Sequence, residues 1–420
     1  MSITIKKKTI IPDTSFSQAV DAYIPLYDFV PLKDAEGNLS VQKTAVNTRV
    51  TEGQVLGKFD AYSASVHAPV PGVLTEYKTL PMPDGKLSEV AVIKLEGEFT
   101  FKGKKLRSRS WDNLSSVDLC SILAENGVIN TFDTPQSLAR EILELNNNYN
   151  SRPALSVRLF DADPSICTDS FITVKKTQEI LEGVEVIAKA MSAEKIFIFH
   201  DKSIKFPVEI PHEKMVFVVV PESKQLMCGK REIDILLENN KYEYKTSIAI
   251  DSSTAFAAYE AVVLQKPLLE RFVQVSGTSL KKNIMFKVRI GTPVRKLVEQ
   301  CDGFKKKPYK IIINGLIKGT AIRDPDTPVT SIVKSITILS KKSVPDQEQT
   351  HCIHCGNCHR ACPVKLHPDA FFDHYYYHSE LPEPFLRTSL LCTQCGLCNT
   401  TCPARLPLFQ SIAIVRGNLK

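Results

Sequence analysis

"CIHCGNCHRACP", Cys352 to Pro363, and "CTQCGLCNTTCP", Cys392 to Pro403, decide how this chain is read. Both runs follow Cys-x2-Cys-x2-Cys-x3-Cys-Pro, the second beginning 40 residues after the first. Three cysteines at steps of three wrap one corner of an iron–sulfur cubane. The fourth lies too far along to close the same cubane, and the proline behind it turns the chain away. In the two-cluster ferredoxin arrangement such a fourth cysteine ligates the other cluster. The spacing therefore predicts two 4Fe-4S clusters with crossed ligands. One takes Cys352, Cys355, Cys358 and Cys402; the other takes Cys392, Cys395, Cys398 and Cys362. Zinc is the plainer use of eight cysteines. Structural zinc, however, pairs two separated Cys-x2–4-Cys halves and has no need of four cysteines in eleven positions closed by proline, twice.

Working outward, the remaining cysteines Cys120, Cys167, Cys228 and Cys301 are scattered and read as small core residues. Clustered thiols beside scattered free ones suit a reducing compartment, where cysteine clusters mean metal. The chain has 420 residues, enough for about two to four domains. No stretch approaches the roughly 18–20 apolar residues of a membrane span. "MSITIKKKTIIPD" carries basic residues without an apolar block behind them. Neither a signal peptide nor a transmembrane segment is expected, which places the protein in the cytosol or on the cytosolic face of a membrane.

The net charge of +7 is spread out, with short clusters at Lys6–Lys8 and Lys305–Lys307. Such charge is solvated surface or a docking surface for an acidic redox partner or anionic membrane. No nucleic-acid motif accompanies it. The 18 glycines include no adjacent pair and no Gly-x-Gly, and Gly-x4-Gly-Lys-Ser/Thr is missing. The Rossmann and Walker A phosphate loops are thereby excluded.

Six of the nine histidines fall at the C-terminal end: His351, His354, His359, His367, His374 and His378. Between the motifs, Phe371, Phe372, Tyr375 and Tyr376 recur at helical spacing and predict a helix with an aromatic face over the clusters. "LPLFQSIAIVRG" predicts a closing helix.

Upstream, the pattern changes three times. Residues 31–105 alternate apolar and polar and turn at Gly53, Gly57 and Pro71-Gly72. They resemble the barrel-sandwich fold of lipoyl and biotinyl carrier domains. "DAYSASVHAP" stands where those carry a lysine, so no attached cofactor is expected. Residues 106–265 alternate helix and strand. Ile180, Val184, Ile187 and Met191 share one helix face; "KIFIF" and "MVFVVVP" suit buried parallel strands; "SIAID" leads into the helix "STAFAAYEAVVL". Residues 266–340 are β-rich, with a short helix from Pro293, and resemble a β-grasp domain of the SLBB type. "SVPDQEQT" is a polar linker, and residues 1–30 are set apart as an N-terminal extension. The fold class is multidomain α+β: barrel-sandwich hybrid, central α/β sheet domain, β-grasp domain, and a helical double-cluster module over 341–420.

This order, with "VHAPVPG", "KPLLERFVQVSG", "IGTPV" and "CIHCGNCHRACPVKLHP", resembles the RnfC/RsxC subunit of the Rnf electron-transport complex along nearly the whole chain. The resemblance implies a peripheral subunit on the cytoplasmic face of the inner membrane. It would relay electrons between a soluble carrier (ferredoxin, flavodoxin or NADH) and membrane subunits that couple the flow to ion transport. The A subunit of the sodium-pumping quinone reductase is a more distant likeness, through "ITIKKK".

The family also carries a glycine-rich loop ahead of Phe-Pro-Thr that cradles flavin and nucleotide phosphates. Here the matching stretch is "NGVINTFDTPQSLAREI", with only Gly127 remaining and Asp133 added. The acidic flavin segment is "DADP", leaving Asp161 and Asp163, and the glycine pairs of "PESKQLM" and "NGLIKG" are gone. Bulky side chains keep backbone from a phosphate, and carboxylates repel it. The expectation is two 4Fe-4S clusters without FMN, the NADH site lost, and Gly127, Asp161 and Asp163 as remnants of the flavin site. Two other functions stay open on the sequence: an NADH-linked oxidoreductase with a non-standard nucleotide loop, and a non-catalytic scaffold with structural clusters.

Overall fold

Continuous apolar runs make strands that are covered on both faces, and the middle of the chain builds such a sheet. A computed structural model describes residues 16–33, 44–147, 152–204, 206, 214–344 and 348–419. In it Ala154–Arg158, Lys195–His200, Met215–Val219 and Ile248–Asp251 pair in parallel, in the spatial order third, second, first, fourth. Along Lys195–His200 the side chains alternate. Ile196 and Ile198 join Ile180, Val184 and Ile187 of the helix Thr177–Ala190. Phe197 and Phe199 join Ile233, Leu236 and Leu237 of the helix Lys230–Asn239. "MVFVVVP" departs from expectation. Among the described residues it forms the sheet edge, where Phe217 and Val219 are 36% and 52% exposed.

The sandwich region forms an antiparallel sheet of Tyr27–Pro31, Leu87–Leu95, Gly72–Pro81 and Arg49–Val50, beside the hairpin Val55–Gly57 with Val66–His67. Val30, Leu56, Ala68, Val70, Leu74 and Ile93 close its core. The hairpin tip is fixed. Phe59 N and Asp60 N donate to Ser63 Oγ at 3.1 and 3.0 Å. The tip also docks on the central domain, with Arg140 on Asp60 at 2.6 Å and Ser137 Oγ donating to Tyr62 O at 2.6 Å.

A third, mixed sheet runs Ala19–Asp21, Ile284–Arg289, Glu270–Ser276, Ser335–Ser340, Pro308–Ile313 and Thr320–Ile322. The helix Val294–Gln300 packs on it through Val294, Leu297 and Val298. This sheet revises the reading of residues 1–30 as an extension. Ala19–Asp21 pairs with Ile284–Arg289, and Tyr27–Pro31 enters the sandwich. A three-residue strand is too short to show its period in sequence. "ITIKKK" and the middle of the linker "SVPDQEQT" lie outside the described residues.

The C-terminal module is helical: Asn357–Ala361, Pro368–Tyr377, Glu383–Arg387, Leu397–Thr401 and Leu408–Asn418. Among the described residues no helix is long and apolar enough to cross a membrane.

Candidate metal centre

The two cysteine runs fold alike. Gly356 and Gly396 hold φ of 69° and 72°, His354 and Gln394 hold 52° and 54°, and Lys365 and Arg405 hold 56° and 57°. Left-handed residues at matched places reverse the chain so that sulfurs turn to one side, and glycine takes that conformation without strain. A short helix then follows each glycine, Asn357–Ala361 and Leu397–Thr401. Main-chain N–H groups meet the sulfurs: His354 N donates to Cys352 Sγ and Gln394 N to Cys392 Sγ, each at 3.4 Å, and Leu366 N to Cys362 Sγ at 3.3 Å. Such donors tune a metal group bound by these sulfurs.

The fold brings the cysteines together across the repeat. Cys352, Cys355 and Cys358 of the first run line a cavity of about 340 Å³, its open mouth included, together with Cys402 of the second, over Leu406 and Leu408. On the other side Cys398 is pushed up to about 12 by burial, with Cys395, Cys392 and Cys362 adding their charges. Cys392 is raised by burial and again by Cys395 and Cys362. Cys362 thus keeps company with the second run, as Cys402 does with the first. Buried thiols of this kind release protons on binding metal. Among the described residues no three Cys, His, Asp or Glu side chains close on the position of a single ion. The donor set that the cavity presents includes four thiols, with His354 and Asp369 also in its lining, and four thiolates are the set that one 4Fe-4S cluster takes. It fits a polynuclear iron–sulfur group.

The intervening helix covers the cysteines with two of its five Phe and Tyr residues. Phe371 packs with Cys362 and Cys392, and Phe372 with Cys358, Cys398 and Cys402. Tyr375 and Tyr376 are 39% and 45% exposed, so the expected aromatic face is half that wide. His359 and His367 stack at 4.2 Å between ring centroids.

A cleft of about 1190 Å³, mouth included, adjoins this module. Asp161 and Asp163 line it, and Gly127 does not. A Cβ on Gly127 would stand 2.4 Å from Ser65 O and 3.4 Å from His67 Nδ1, so this glycine serves the close docking of the sandwich hairpin. Asp161 accepts from the N–H groups of Asp169 and Ser170 at 3.0 and 2.9 Å. Burial, with the Asp169 charge adding, pushes it up to about 6. Asp163 accepts from Ser165 N at 2.9 Å, Ser165 Oγ at 2.6 Å and Ile317 N at 2.9 Å. Both carboxylates are occupied by the chain's own donors.

The sequence reading missed the cleft's principal ion pair. Lys334 Nζ stands 2.6 Å from Asp169 Oδ2 and 2.6 Å from Asp251 Oδ2. Thr131 Oγ1 donates to Asp251 at 2.9 Å, pinning the loop that follows Gly127. No local pattern announces a contact between residues 165 positions apart. At the start of the helix Lys230–Asn239, Asp133 accepts from Lys230 N at 3.3 Å and Glu232 from Gly229 N at 3.0 Å. Carboxylates of this chain therefore stand where a helix N-terminus would receive a phosphate. Met227 lines the cleft and also packs with Leu226, Ile317, Ala361, Leu397 and Cys395, which joins cleft to cysteine module.

Known proteins place the two ends. A family model described as the RnfC barrel sandwich hybrid domain matches residues 13–98, and one described as a 4Fe-4S dicluster domain matches 348–406. The C subunit of the proton-translocating ferredoxin:NAD(+) oxidoreductase complex of Clostridium ljungdahlii is 27% identical over 369 residues, covering 83% of this chain and 78% of that protein. The C subunit of the ion-translocating oxidoreductase complex of Rhodobacter capsulatus is 26% identical over 386 residues, covering 88% and 73%. An NAD+-reducing NiFe hydrogenase in its H2-reduced state overlays with a TM-score of 0.46 at 12% identity, covering 73% of this chain and 62% of that one, a likeness too loose to bear on function. The chain is RnfC-like, with the RnfC barrel sandwich toward one end and a 4Fe-4S dicluster domain toward the other.

Proposed function

We propose that this protein is the RnfC-type subunit of an ion-translocating Rnf complex, relaying electrons between a soluble carrier and membrane subunits. The observation that carries this reading is the crossing of the cysteines, four around the cavity that includes Cys402 and four around Cys398 that include Cys362. Two 4Fe-4S clusters, when bound, each take up and release one electron. The chain's part is to hold them with eight thiolates, to aim N–H groups at Cys352, Cys362 and Cys392, and to exclude water with Phe371 and Phe372. Crossed ligation keeps the two groups near one another. The soluble carrier is a ferredoxin or flavodoxin. The subunit is peripheral, on the cytoplasmic face of the inner membrane. Residues 266–340 are read as the SLBB-like β-grasp domain, supported by the sheet and single packed helix there.

FMN and NADH are not bound in this reading. Asp133, Asp161, Asp163 and Asp169 crowd a cleft whose cations are Arg158, Lys318 and Lys334, and Lys334 is already paired. A dianionic phosphate meets repulsion there. Electron paramagnetic resonance of the reduced, anaerobically purified protein tests the relay. Two coupled 4Fe-4S clusters give a broadened signal integrating to about two spins per chain; a single uncoupled spin overturns the reading. Stoichiometric FMN in the same preparation, or NADH–ferricyanide turnover, overturns the loss of the nucleotide site.

A further inference from the structure

The two halves of the cysteine repeat match in backbone but not in what they show the solvent. In the first half Ile353 is 66% exposed and Cys355 is exposed beside it. Arg360 Nη2 donates to Cys355 O at 2.8 Å, which sets its charge next to that cysteine. Lys365 Nζ donates to Arg360 O at 3.5 Å. The positions 40 residues on are Thr393 for Ile353, Gln394 for His354, Thr400 for Arg360 and Arg405 for Lys365. The second half therefore lacks the counterparts of Ile353 and Arg360, although Arg405 keeps the charge of Lys365 and Leu391 is exposed beside Cys392. It is also covered: Cys395 packs with Met227 and Ile317, and a Cβ on Gly396 would stand 3.1 Å from Ile317 O.

From this asymmetry we infer that the outward face of the first half, Ile353 and Cys355 framed by Arg360 and Lys365, docks an acidic one-electron carrier protein, while the second half faces the body of the chain. The inference rests on the relay reading above. Cationic side chains around an exposed apolar contact suit a transient acidic partner, because charge steers the encounter and leaves release fast. One electron passes between the carrier and the cluster behind Cys355. No bond forms or breaks and no proton is required, so the carrier's loss equals the chain's gain.

Stopped-flow mixing of the full-length, cluster-loaded protein with a plant-type 2Fe-2S ferredoxin of strongly negative charge tests the face, with dithionite as the small reductant for comparison. The second-order rate is expected to fall at least about 10-fold between low and high salt. The Arg360→Glu/Lys365→Glu variant is expected to lose about 10-fold at low salt and to flatten the salt dependence, with dithionite reduction unchanged. Leu391→Glu, on the exposed lip of the second half, keeps the unaltered protein's rate. Should the double variant lose iron, Ile353→Ala decides: a several-fold slower rate with the salt dependence retained supports the face, and an unchanged rate overturns it. An unchanged rate in an iron-replete double variant, or a loss seen in Leu391→Glu instead, overturns it too. If the unaltered protein is reduced by dithionite but exchanges with the ferredoxin at no salt concentration, the face fails while the relay stands; absence of the clusters themselves defeats the relay.

Discussion

The cysteine module and the cleft beside it lie in contact and have fared differently. The module gathers eight cysteines, with N–H donors turned on three of their sulfurs. The cleft lies beside Cys395 through Met227, and its walls carry the chain's own ion pairs. A metal cluster is held by side chains at fixed local spacing, and losing one thiol loses the cluster. A phosphate is held by bare backbone and a free helix end, and carboxylates such as Asp133 and Glu232, which accept the N–H groups of such an end, disfavour it.

The largest expected effect breaks the module. Cys402→Ser should remove the cluster of the first run, although it lies in the second, and halve the iron from about eight to about four atoms per chain. Cys362→Ser should do the converse. Iron analysis with paramagnetic resonance distinguishes crossed ligation from two self-contained sites, in which Cys402→Ser would disturb the second run.

Next comes the ion pair in the cleft wall. Lys334→Met removes the cation that touches both Asp169 and Asp251, leaving Arg271 to act on them, and a loss of up to roughly 3–5 kcal/mol in unfolding free energy is expected. A thermal or denaturant melt reads it, and an unchanged melt would show the cleft to be wetter than its geometry.

The joint between sandwich and central domain gives a pH effect. Burial lowers His67 to about 4. A depressed histidine contributes stability that is complete above the ordinary value near 6.5 and is lost as pH falls from there to 4, up to about 3 kcal/mol. His67→Gln should flatten that part of the stability profile relative to the unaltered chain.

The smallest effect sharpens the contrast from the cleft's side. Asp133→Asn should cost less than about 0.5 kcal/mol, as one exposed charge at a helix start does. It should not restore FMN binding, because Thr131 and the Lys334 ion pairs still line the site.

What could be read in the sequence follows the same division. The ligand cysteines, their helices and the parallel strands lie within a few residues of the pattern that reveals them. Lys334 meets Asp169 and Asp251 across 165 and 83 positions. Gly127, read as a remnant of the flavin site, also packs against Ser65 and His67 of another domain. Ala19–Asp21 shows its place only once Ile284–Arg289 stands beside it. "MVFVVVP" carries the composition of a buried strand, and composition does not say which strand ends a sheet.

Metal analysis tests the central claim most directly. Anaerobically purified protein should yield about eight iron atoms and as many acid-labile sulfides per chain. Zinc in their place, with no sulfide, would contradict it.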